Sequence, residues 1–176
     1  EVPHGDNGLG FVDEYRISRM ETKGIASDKL SAFSARPVTE NDLRRIVDFD
    51  QEVFGANRER VLKSILRRDA RFGFVSEDDR GINGYCLGRS GHNFTQIGPV
   101  VAKDFEAARN VLSPALMNSA GRPVCIDALH HSEAWMHWLS SIGFTEQRPL
   151  IRMFRGSNNH PGIPKKQFAI LGPEFG

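Results

Sequence analysis

The sequence predicts an α+β domain: a mixed, mostly antiparallel sheet with helices on both faces. From Phe33 onward the elements read strand, two helices, three strands, helix, strand, helix, strand. The three consecutive strands are joined by short turns, which favours an antiparallel meander. The strand, helix and strand that follow favour a parallel pair with a right-handed crossover.

Residues 11–20 read as a short strand, and residues 21–31, polar and including Gly24, as a linker. Residues 33–38 read as a strand. Thr39 or Asn41 can cap a helix over residues 41–53, where Leu43, Ile46, Val47 and Phe49 recur at helical spacing and Gly55 stops it. Asn57 caps a second helix with Val61, Leu62, Ile65 and Leu66 on one face. Its other face carries Arg58, Arg60, Lys63, Arg67 and Arg68, expected as solvated surface. Residues 71–76, 82–90 and 94–102 form the meander. Residues 104–117 read as a helix that Pro114 should kink or shorten. Residues 122–129 are an apolar strand. Ser132 or Glu133 opens a helix with Trp135, Trp138, Leu139 and Ile142 inward, and Gly143 stops it. Residues 144–154 read as a strand and residues 167–171 as a further candidate.

Composition excludes several classes. Lys and Arg number 23 against 22 Asp and Glu, so no basic field draws nucleic acid or an anionic membrane. No apolar run approaches the roughly 20 residues of a membrane span. Residues 1–7 are polar and do not open like a signal peptide. Cys86 and Cys125 sit in strand-like flanks and make no disulfide framework, so a reduced, cytoplasmic protein is expected. No zinc spacing, phosphate-binding loop or Ser-His-Asp signature occurs, and no metal is expected.

One phrase recurs. Gly10-Phe11 and Gly143-Phe144 are each followed by seven residues and then Arg-Met, at Arg19-Met20 and Arg152-Met153. This repeat, the element order and the segments IGPVVA (97–102), IDALH (126–130), GFTEQRPLIRMFRG (143–156) and AILGPEFG (169–176) resemble the GNAT N-acetyltransferase superfamily. Within it they are similar to the C-terminal domain of tandem GNAT proteins of the YitH type. The resemblance implies that residues 1–20 are a remnant, the closing strand of a preceding GNAT unit. Residues 21–32 would be a linker and residues 33–176 a GNAT-like domain. The opening strand then needs a partner, in its own sheet or in a second copy, and a homodimer is expected.

The resemblance also implies a chemistry: transfer of an acyl group from acetyl-CoA or another acyl-CoA to the amine of a small molecule or peptide, by direct attack. The alternative is a non-catalytic GNAT module that braces a catalytic partner or binds a small ligand. The fold implies a wedge between the strands at 96–102 and 124–129, with Ile97, Gly98, Pro99, Val100, Val101, Ala102 and Lys103 as the cofactor-binding stretch. Two departures stand out. The family's glycine-rich pyrophosphate loop is replaced here by Lys103-Asp-Phe-Glu-Ala-Ala108, and the family's general-acid Tyr position holds Leu139. His130 and His131, past the end of a strand, are the base candidates. They are weighed against a purely polar loop role. Asp127, a carboxylate in an apolar strand, is a candidate for orienting a histidine, receiving the amine's charge or pairing with an Arg. Glu174 is a second candidate amine ligand. Cys125 reads as buried filler.

Overall fold

Short polar side chains open each helix. The structure, a computed structural model, describes residues 9–30, 33–119 and 121–175. Residues 1–8 of the expected remnant, the linker's end at 31–32 and Gly176 lie outside the described residues. At Thr39 the hydroxyl and backbone N–H both donate to the Asp42 carboxylate (2.8 and 2.9 Å), ahead of α1 (Leu43–Phe54). The Asn57 side-chain oxygen accepts from Glu59 N–H at 3.0 Å and starts α2 (Glu59–Arg68). Asp104 accepts from Ala107 N–H (2.9 Å) at the start of α3 (Phe105–Met117), and Ser132 from Trp135 N–H (3.2 Å) at the start of α4 (Glu133–Ser141). Each such cap satisfies a donor that the helix itself cannot.

The strands are β1 (Phe11–Thr22), β2 (Arg36–Pro37), β3 (Phe74–Asp78), β4 (Gly81–Ser90), β5 (Thr95–Ala102), β6 (Val124–Leu129), β7 (Thr145–Arg155) and β8 (Gln167–Ala169). They form one eight-stranded sheet in the order β2-β3-β4-β5-β8-β6-β1-β7. Among the described residues only the β5–β6 pairing is parallel. The fold class is therefore as the element order predicts.

The details differ in places. The strand expected over 33–38 shrinks to β2, and residues 70–72 form a tight helical turn before β3 begins. Pro114 does not shorten α3, which runs on to Met117. Near a helix's end the missing donor costs a single bond, the one Asn110's carbonyl would accept. Arg58 is not solvated. It is buried, donating to both Asp50 oxygens (2.9 and 2.7 Å) over the Phe54 ring, while the Tyr85 hydroxyl donates to the same carboxylate. A buried carboxylate is tolerated when so fully paired.

The two sheet faces carry separate cores. On one, α3 and α4 pack Val111, Leu112, Trp135 and Leu139 against Ile126, Phe144 and Phe168. On the other, α1 and α2 pack Ile46, Leu62 and Ile65 against Val75, Tyr85 and Leu87. β1 finds both partners in its own chain, pairing antiparallel with β6 and with β7.

Candidate functional site: a closed wedge and a polar belt

β5 and β6 touch at Thr95↔Val124 and Gln96↔Cys125 and then diverge. Diverging strands leave backbone donors and acceptors exposed in the gap. Here β8 fills it. Val100 and Val101 of β5 pair with Ala169 and Gln167, Ala128 of β6 pairs with Ala169, and Ile170 N–H donates to the Asp127 carbonyl (3.0 Å). Phe168, Ala169, Ile170 and Leu171 are all buried. Gly98 permits the approach: a Cβ there would collide with the Ile170 carbonyl oxygen. His131 Nε2 meets the Gln167 carbonyl oxygen at 2.7 Å and its ring stands edge-on to Phe168, which also packs on Trp135.

In this arrangement β8 stands where the arm of an acyl-CoA would lie. The backbone that a pantetheine arm would pair with is already bonded to β8. At the start of α3, where a pyrophosphate would sit, several donors already have partners within the chain. Ala107 N–H bonds the Asp104 side chain, Ala108 N–H the Asp104 carbonyl, and Lys103 N–H the Asn83 carbonyl. The Lys103 ammonium is 3.3 Å from Asp78. A pocket of about 570 Å³ adjoins this helix start, but Asp104 and Glu106 line it. Arg109 lines it too, but it is paired with Glu106 (3.1 Å), so the two carboxylates leave no cation there in excess for a polyphosphate.

The predicted carboxylates belong to something else. Asp127 is fully buried; Arg19 of β1 grips it bidentately (2.9 and 3.0 Å) and Gln96 Nε2 donates to it at 3.0 Å. Arg89 of β4 bonds the Gln96 side-chain oxygen and Glu174 (2.7 Å each). The result is a belt, Arg19–Asp127–Gln96–Arg89–Glu174, crossing four strands to the residues beyond β8. Its hydrogen bond to Asp127 raises the Arg19 pKa above its ordinary value. Beside the belt lies a pocket of about 310 Å³ lined by Arg19, Glu21, Arg89, Asn93, Gln96 and Cys125, among others. Burial pushes the Cys125 thiol up to about 12, so it is no nucleophile at neutral pH.

The predicted residues thus divide between two places. Asp127 and Glu174 share the belt. His130 and His131 take other partners: His130 Nε2 bonds the Ser18 hydroxyl on β1, while His131 holds β8. Burial lowers both histidine pKa values, and Arg16 adds to the effect at His130. Asp127 orients neither of them. Sequence reading missed Arg19, Gln96, Arg89, Glu21 and the place of β8. The signal for Arg19 was Asp127 itself, since a buried carboxylate requires a cation on a neighbouring strand.

Among proteins of known family, the model of an acetyltransferase (GNAT) domain matches residues 46–169. The chain belongs to the GNAT acetyltransferase family. A holothin acyltransferase from Pseudoalteromonas sp. (strain SANK 73390) is 27% identical over 169 residues, covering 95% of this chain and 56% of that protein. The chain therefore spans about half the length of this curated relative. A Pyrococcus horikoshii protein assigned to the acetyltransferases has a similar structure, with TM-score 0.68, 23% identity and coverage of 92% of this chain and 52% of that one. A GCN5-related N-acetyltransferase from Sphaerobacter thermophilus follows at TM-score 0.60 and 17% identity, covering 87% and 56%. At such identities these structures speak for the GNAT fold alone. No helix among the described residues is long and apolar enough to cross a membrane.

Proposed function

We propose that this GNAT domain serves N-acyl transfer, in which an amine attacks an acyl thioester directly, and that it does so on the acceptor side, beside a GNAT unit that holds the acyl-CoA. The family and the holothin acyltransferase relative support acyl transfer. The observation that carries the acceptor-side role is β8 in the wedge, bonded to both walls. The belt-side pocket offers an amine the Glu21 carboxylate, with Arg19 held off by Asp127 and Arg89 by Glu174. The acceptor's class, small molecule or peptide, follows from the family's chemistry.

The second reading keeps the donor in this chain: β8 leaves, and Ile97 to Lys103 take acyl-CoA. It is favoured by the brevity of β8, only three residues long. Calorimetric titration of acetyl-CoA into the purified chain, with CoA as control, separates the two. The acceptor-side reading expects no saturable heat up to millimolar ligand. Micromolar binding would overturn it and return the donor site to the wedge. The homodimer expected from the sequence loses its stated reason, because β1 finds partners in its own sheet, on both sides over residues 17–21. Among the described strands the sheet's edges are the two-residue β2 and the long β7.

A further inference from the structure

The two copies of the repeated phrase lie side by side, antiparallel, as β1 and β7. Ile17 pairs with Leu150, and these are equivalent positions of the repeat, so a local two-fold axis passes between them. A two-fold of this kind should give both strands the same surroundings, yet their surroundings differ. Phe144 is 2% exposed beneath α4, while its counterpart Phe11 is 37% exposed. Ile17, Ser18 and Met20 are buried beside β6, while their counterparts Leu150 and Met153 are half-exposed and Ile151 is 49% exposed.

Backbone direction agrees. His130 N–H donates to the Arg16 carbonyl, so Arg16, Ser18 and Met20 turn their backbone groups toward β6. The residues between them, Tyr15, Ile17 and Arg19, face β7 and pair with Arg152, Leu150 and Arg148. Pro149, Ile151 and Met153 therefore turn theirs outward, along an edge that no described strand pairs. Pro149 has no N–H to offer, but its counterpart Arg16 takes part through a carbonyl, which Pro149 keeps.

We infer that the outer edge of β7, with the uncovered side chains Phe11 and Ile151, docks a second GNAT unit through that unit's counterpart of β6, antiparallel to β7. The inference rests on reading residues 11–20 as the closing strand of another such unit. The two sheets then run through one continuous ribbon, each unit's closing strand bedded in the other. Strand addition at an open edge supplies main-chain hydrogen bonds, and the apolar side chains supply the buried area. A second copy of this chain is a poorer occupant, because its own β6 is already bounded by β8 and β1.

The test uses the full chain and a synthetic peptide with the sequence of residues 122–131, Cys125 replaced by Ser, as the β6-type strand. Amide exchange is followed by NMR. The peptide is expected to slow exchange at the outward amides Ile151 and Met153 by about tenfold or more, and to leave the inward amides 148, 150 and 152 unchanged. Ile151→Pro removes one outward donor and should abolish the effect at Met153; Ile151→Lys should weaken it should the proline variant misfold. No protection at millimolar peptide overturns the inference. So does protection of the same amides without peptide, accompanied by a dimer in sedimentation, which would make a second copy the occupant. Acetyl-CoA binding leaves this result untouched, so the two proposals fail separately.

Discussion

Asp127 illustrates how a single buried charge organises its neighbourhood. Its carboxylate is out of water, and Arg19 and Gln96 supply the hydrogen bonds that water would have given. Removing it strands the Arg19 guanidinium, which is mostly covered itself. Asp127→Ala should therefore lower the unfolding free energy in urea by about 3 kcal/mol. The double variant Arg19→Met with Asp127→Leu should recover most of that loss. A single-variant loss within the error of the urea titration would mean that the belt contributes nothing to folding. The need at Asp127 was legible in the sequence, because a lone acid in VCIDAL cannot stay unpaired. Its partner was not, because Arg19 lies on a strand remote in sequence. Nothing local to either residue reports the β1–β6 register that brings them together.

At the scale of elements, the caps and apolar spacing made all four helices legible, and the apolar runs did the same for β4 to β7. β8 was visible as a candidate strand, but its position was not. A three-residue strand has too little pattern to name its neighbours, and the gap it fills exists only after β5 and β6 have diverged. Its seat depends on Gly98. Gly98→Ala should cost about 2 kcal/mol through overpacking against the Ile170 carbonyl. In hydrogen-exchange mass spectrometry the peptide spanning 168–171 should then exchange faster while α1 and α2 keep their protection. Unchanged exchange over 168–171 would show that β5, and not β8, gives way.

For the molecule as a whole, the shifted histidines and carboxylates, which titrate below neutral pH, act in one direction. His130 and His131 have pKa values lowered by burial, so between about pH 7 and 5 the unfolded chain binds more protons than the folded one, given a free histidine near 6.5. Asp42, paired with Arg36, and Asp69, paired with Arg71, also have lowered values; their contribution is present above about pH 4 and is lost below it. Melting temperature should therefore fall in two stages as pH drops. The double variant His130→Gln with His131→Gln should flatten the first stage and leave the second. An unaltered first stage would assign it to other groups. The overall architecture was legible because element order constrains topology tightly. The arrangement of the strands around β6 was not, since it places the chain's first strand and its last strand on either side of it. That placement bears on how the protein is made. On a ribosome delivering about 5–20 residues per second, the sheet's middle cannot zip up until residues 167–171 have left the exit tunnel. Until then β5 and β6 stand apart with bare backbone between them, a gap open to pairing with other strands.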